Sequence, residues 1–169
     1  VEFDYLSADL LNDEGLHARV MSGLGNAYDQ LVDSVGVDAV MLELQFNKLN
    51  AQHLVNRALI DFANQNSLSD KLLVTCDSHY SQPSHWRERE LYKKLGWMNH
   101  REFNPDSLPK NIEDLKCELY PKNAEQVWDS YKETSKEYDF YADDVIFDAI
   151  ERTHDVAHEM IGEIKPDCS

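Results

Sequence analysis

The stretch Leu72-Leu73-Val74-Thr75-Cys76-Asp77-Ser78-His79-Tyr80 decides how this chain is read, because an apolar run of strand length halts there at an Asp and a His two residues apart. Such a run fits a strand buried on both faces of an α/β layer. Asp77 and His79 then stand at the C-terminal end of the strand, where α/β folds place their chemistry. At spacing two, a carboxylate oxygen and an imidazole nitrogen can leave a strand on the same side, so both can reach one divalent ion. They make half a metal site at most. The plainer reading keeps Asp77 as a turn cap and His79 as an ordinary polar residue.

Working upstream, Asn50 is a good N-cap for a helix whose apolar stripe runs through Ala51, Leu54, Val55, Ala58, Leu59, Phe62 and Ala63. Before it, Val37 to Gln45 alternates Val40, Leu42 and Leu44 against Met41, Glu43 and Gln45, the period of a strand with two unlike faces. The order strand, helix, strand predicts a right-handed parallel crossover that sets Leu42–Leu44 beside Leu72–Val74. Glu43 can face a metal pocket, but the sheet exterior is the better expectation. Earlier still, Leu16, Val20, Leu24, Ala27, Leu31 and Val35 make a helical stripe that stops at Gly36, with a break allowed near Gly25. His17 in this helix reads as a solvated or core-edge residue.

Downstream, Pro83 and Ser84 open a helical stretch ending near Gly96, and Met98 to Lys110, with Pro105 and Pro109, reads as a loop or linker. Trp86 and Trp97 read as packing anchors. The last third is helical, from Ala124 to about Lys136 and from Asp143 to Ile164. His154 and His158, one turn apart, have a spacing that can chelate zinc, but no third ligand accompanies them. Asp139, Asp143 and Asp144 read best as a solvated acidic cap at a helix start.

Several of these segments resemble one family. Val74-Thr75-Cys76-Asp77-Ser78-His79-Tyr80 is similar to the last metal-binding motif, Ala-Thr-Asn-Asp-x-His-Tyr, of the PHP (polymerase and histidinol phosphatase) domain of bacterial DNA polymerase III alpha subunits, with Cys76 in the Asn place. Met41-Leu42-Glu43-Leu44-Gln45 resembles the family's Leu-Glu-Leu-Gln strand, and Val55-Asn56-Arg57-Ala58-Leu59 its following helix. Cys117-Glu118-Leu119-Tyr120 with Ala124-Glu125-Gln126-Val127 is similar to the segment that enters the polymerase region, and Arg152-Thr153-His154-Asp155-Val156-Ala157 to its Asn-Thr-x-x-Ile-Ala helix. Leu6-Ser7-Ala8-Asp9 resembles a Leu-Ser-Ala-Cys segment, which makes Asp9 an additional candidate oxygen ligand; a helix cap or surface Asp is its plainer reading. The resemblance is strongest from Val40 to Tyr80. The family's earlier His-x-His motif has no counterpart, and where the family has a further His this chain has Arg89, with His85 and His100 elsewhere.

What the resemblance implies is an α/β fold, part of a distorted (β/α)7 PHP barrel followed by a mainly helical C-terminal segment. Residues 1–100 would be the C-terminal part of the PHP-like domain, and residues 101–169 the linker and helices leading toward the polymerase palm. The chain would be a piece of a longer DNA-directed DNA polymerase, inactive when isolated. In the intact domain a divalent metal (Zn, Mn or Mg) would support 3′-5′ hydrolysis of DNA, with Asp77 and His79 among its ligands.

Composition limits the partners. The chain has 169 residues, 42% hydrophobic and 28% charged, which suits one globular domain with a real core. Its 32 acidic against 16 basic residues give a formal charge of −16, which opposes phosphate backbones. DNA contact is therefore expected only through the rest of the polymerase chain, and a basic protein partner fits the charge. Cys76, Cys117 and Cys168 form no Cys-x-x-Cys pair, which favours a reducing, cytoplasmic setting, and no run is long enough for a membrane span. Two alternatives stay open: a stand-alone PHP-type phosphoesterase acting on a small phosphate ester, and a non-catalytic acidic interaction module.

Overall fold

The computed structural model describes residues 11–47, 49–99 and 118–160. In chain order these form α1 (Glu14–Val35), β1 (Leu42–Leu44), α2 (Asn50–Gln65), β2 (Leu72–Val74), α3 (Trp86–Met98), α4 (Ala124–Thr134) and α5 (Asp143–Asp155). The two strands pair in parallel, Leu42 opposite Leu72 and Leu44 opposite Val74, with α2 as the crossover between them.

Strand alternation sorts the faces as the sequence suggests. Val40, Leu42 and Leu44 are buried while Glu43 is exposed, because successive side chains of a strand point to opposite faces. On β2 the expectation of burial on both faces is corrected: Leu72 and Val74 are buried, but Leu73 is only half-buried and shares the outer face with Glu43. Thr75 extends the ladder by one bond, its N–H donating to the Leu44 carbonyl at 3.0 Å.

The expected part of a (β/α)7 barrel is not what the described residues form. They are mostly helical, with one two-stranded sheet. The reason lies in the apolar spacing, since among the described residues only the short runs at 42–44 and 72–74 pair as strands, and most of the other buried apolar residues there recur at three and four and make helices. Helices rather than further strands complete the core. Ile146, Ala149 and Ile150 of α5, and Val127 and Tyr131 of α4, join Leu42, Leu44, Leu72 and Val74 in one buried cluster. Arg152 fastens α5 to the sheet by donating to the Leu72 carbonyl at 2.7 Å.

Three helix readings change. In α1 the buried face runs through His17 and Tyr28, with Met21, Leu24 and Val32 packed beside it, while Leu31 and Val35 are exposed. His17 is thus buried, with its Nε2 2.9 Å from the Asp61 carboxylate. In α2, Asn50 is the first helical residue and does not cap; its Oδ1 accepts from the Tyr138 hydroxyl at 3.4 Å. The last helix ends as α-helix at Asp155 and passes into a π-turn, Val156–Met160.

No break occurs at Gly25, and α1 is continuous to its cap at Gly36, which holds φ 87°. A Cβ at Gly25 would lie 3.6 Å from the Phe62 ring, so this glycine marks where α1 runs against α2. A Cβ at Gly23 would meet nothing within 4 Å. Gly23→Ala therefore gains helix propensity without a clash, and a stabilisation of about 0.5–1 kcal/mol is expected in urea unfolding.

Candidate functional site at the end of β2

Past Val74 the chain leaves the strand through Thr75 and Cys76 and turns at Asp77, which has φ 43°. A non-glycine residue in the left-handed region is uncommon, and Asp and Asn tolerate it best because their short polar side chains bond locally. The turn folds His79 back so that its Nε2 lies 3.2 Å from Asp77 Oδ2, and both side chains are about half exposed. Since a carboxylate only accepts, Nε2–H donates and Nδ1 is the second ring nitrogen of the pair.

A segment some forty residues later in the chain holds the turn in place. The backbone N–H groups of His79 and Tyr80 both donate to the Leu119 carbonyl, at 2.8 and 3.2 Å, and the Leu119 N–H donates to the Tyr80 hydroxyl at 3.0 Å. Leu119 is itself buried. Beside it, burial, followed by the charge of Glu118 and the neighbouring Tyr80 and Cys76, pushes the Tyr120 phenol above its ordinary value and keeps it neutral. Nothing in the local sequence announces this clamp, because its parts are far apart in the chain.

The other candidates fall apart from the pair or outside view. Asp9 lies outside the described residues, as do His100, Cys117 and Cys168. Glu43 sits on the exposed face of β1, where its carboxylate accepts from the Thr75 hydroxyl and from Gln45 Nε2. His154 and His158 have ring centroids 4.3 Å apart on an exposed surface. Asp143 accepts from Lys132 Nζ at 2.8 Å and from the Tyr131 hydroxyl at 2.6 Å, and these bonds hold its carboxyl below the usual range. Asp144 bonds the N–H of Val145 at the start of α5. Asp139 lines a cleft together with Glu14, Arg57, Asp61 and Glu137.

As a metal centre the pair is short of donors. Among the described residues no group of three or more His, Cys, Asp or Glu is placed to hold a metal ion, whereas catalytic zinc typically takes about three protein ligands and keeps a position for water. The dyad alone can orient an imidazole and relay a proton through it; no hydrolytic step follows from these two groups.

Because Asp77 stands in the left-handed region, the choice of replacement matters. Asp77→Asn should unfold within about 0.5 kcal/mol of the unsubstituted protein, while Asp77→Val should cost about 1–3 kcal/mol through backbone strain. Paired urea titrations check this.

Comparison with family models, with curated proteins and with solved structures gives no match to this chain. No described helix is long and apolar enough to cross a membrane.

Proposed function

We propose that the chain is a segment of a replicative, DNA polymerase III alpha-like DNA polymerase, in which Asp77 and His79 contribute two donors to a divalent-metal site. The observation that supports this reading is the side-by-side placement of Asp77 and His79 where β2 ends, on a parallel β1–α2–β2 unit made of the residues that carry the resemblance. The remaining donors would come from outside the described residues, and Zn, Mn or Mg all suit an Asp and His pair. DNA contact is assigned to the parent chain, because 16 basic residues against 32 acidic ones cannot supply counterion release on this segment. A cytoplasmic setting goes with this reading. The experiment is metal analysis of the protein encoded by the whole reading frame, before and after Asp77→Asn. Bound divalent metal that falls with the substitution is expected; equal metal in both proteins would remove Asp77 from the site.

A second reading, the acidic interaction module, is favoured by the cleft of about 530 Å³ whose lining includes four carboxylates, Glu14, Asp61, Glu137 and Asp139, and one guanidinium, Arg57. It requires salt-sensitive binding of a basic polypeptide that weakens when Glu137 and Asp139 are changed to Asn or Gln.

A further inference from the structure

Where α5 passes into the π-turn Val156–Met160, the imidazole rings of His154 and His158 stand on the exposed surface with centroids 4.3 Å apart and planes 38° from parallel. We propose that the two rings clip one late first-row transition-metal ion, copper(II) most tightly, and that the ion fastens the π-turn to the end of α5.

The backbone brings the rings together. Over four residues an α-helix overshoots a full turn by about 40°, which sets side chains four apart slightly out of line. A π-turn bonds five residues back and is wider, so it takes up that overshoot and lays the second ring over the first. An ion about 2.0–2.1 Å from one nitrogen of each ring needs those nitrogens roughly 3 Å apart. Rings with centroids 4.3 Å apart reach that separation by small rotations of their side chains. Both are free to rotate, because among the described residues neither ring has a hydrogen-bond or ion-pair partner.

Donor type selects the ion. Imidazole nitrogen suits zinc, nickel and copper, with affinity highest for copper(II), whereas magnesium and calcium ask for oxygen donors. Among the described residues no third His, Cys, Asp or Glu is placed with the pair, which leaves the other coordination positions to water. Two donors hold an ion; they do not make a catalytic centre. The surroundings favour a cation. Glu151 and Asp155 are exposed on the last turns of α5, and the cation of that stretch, Arg152, is turned to the Ser69 and Leu72 carbonyls at 3.2 and 2.7 Å. An ion held by both rings therefore couples the π-turn to a helix already anchored on the sheet.

The proposal does not rest on the polymerase reading, since neither ring belongs to the turn after β2. The experiment is titration of the 169-residue chain with copper(II) and with zinc in a non-chelating buffer, followed by calorimetry and by the broadening of amide NMR signals around paramagnetic copper. The first signals to broaden are expected at residues 151–158, with copper binding tighter than zinc and magnesium leaving these signals unmoved. Both histidines are exposed, so either can be replaced without endangering the fold. His154→Ala and His158→Ala should each weaken binding by about tenfold or more, at least what disturbing a ligand's supporting contacts costs. Amide hydrogen exchange at residues 156–158 should slow when zinc is bound. Broadening centred away from residues 151–158 would overturn the proposal, as would binding undiminished by either substitution. Loss in one variant alone would mean a single-imidazole contact and would overturn it too, and unchanged exchange at 156–158 would overturn the fastening.

Discussion

Replacing Asn56 with Ala is expected to lower the unfolding free energy by about 3 kcal/mol, the cost of stranding several buried polar groups at once. Asn56 has no exposed surface. Its Nδ2 donates to the Gln45 carbonyl at 2.7 Å and to the Tyr141 hydroxyl at 2.9 Å, and its Oδ1 accepts from Gln52 Nε2 at 3.0 Å and from the Gln45 N–H at 3.4 Å. One amide thus fixes the end of β1 to α2 and both to the segment before α5. Tyr141→Phe keeps the ring and removes a single hydroxyl, so it should cost about half as much. The pair of urea curves separates the network from its packing. Equal effects would mean that the ring contacts, not the amide, hold this junction.

Acid should weaken the fold through His53, and the sign follows from its burial. His53 is 2% exposed, its Nδ1 lies 2.8 Å from the Tyr141 hydroxyl, and burial lowers its pKa from 6.5 to about 4. Because Asn56 donates to that hydroxyl, the hydroxyl proton is directed to Nδ1, an arrangement that needs the neutral ring. Between pH 6.5 and about 4 the unfolded chain therefore binds the proton that the folded one refuses, and stability falls as pH falls. Above pH 7 this contribution is flat, and below 4 it levels off. At ~1.4 kcal/mol per pKa unit the loss is roughly 3–4 kcal/mol at most. His53→Gln cannot titrate, so its stability should change less across that window than that of the unsubstituted protein. A His53 ring resonance that titrates at its ordinary value would contradict this account.

The parts of the fold legible in the sequence are those set by local periodicity. The alternation from Val40 to Leu44, the apolar run at Leu72 and the α2 stripe place two parallel strands around a helix, and that unit is present. The face of α1 was hidden because its buried positions include His17 and Tyr28, whose polar atoms disguise the stripe, while the aliphatic Leu31 and Val35 face outward. The barrel failed for a different reason. A resemblance over short motifs says nothing about how many strands the described residues themselves form, and here α4 and α5 fill the core. At the site, Asp77 and His79 were readable as neighbours from their spacing. Their clamp at Leu119 depends on contacts distant in sequence, which no periodicity encodes.

The most direct test of the central claim is primer extension by the protein expressed from the complete reading frame that encodes Val1 to Ser169. Template-directed incorporation of deoxynucleotides is the result this account predicts. A purified full-length product that incorporates none, on a primed template with magnesium and all four deoxynucleotides, would contradict it.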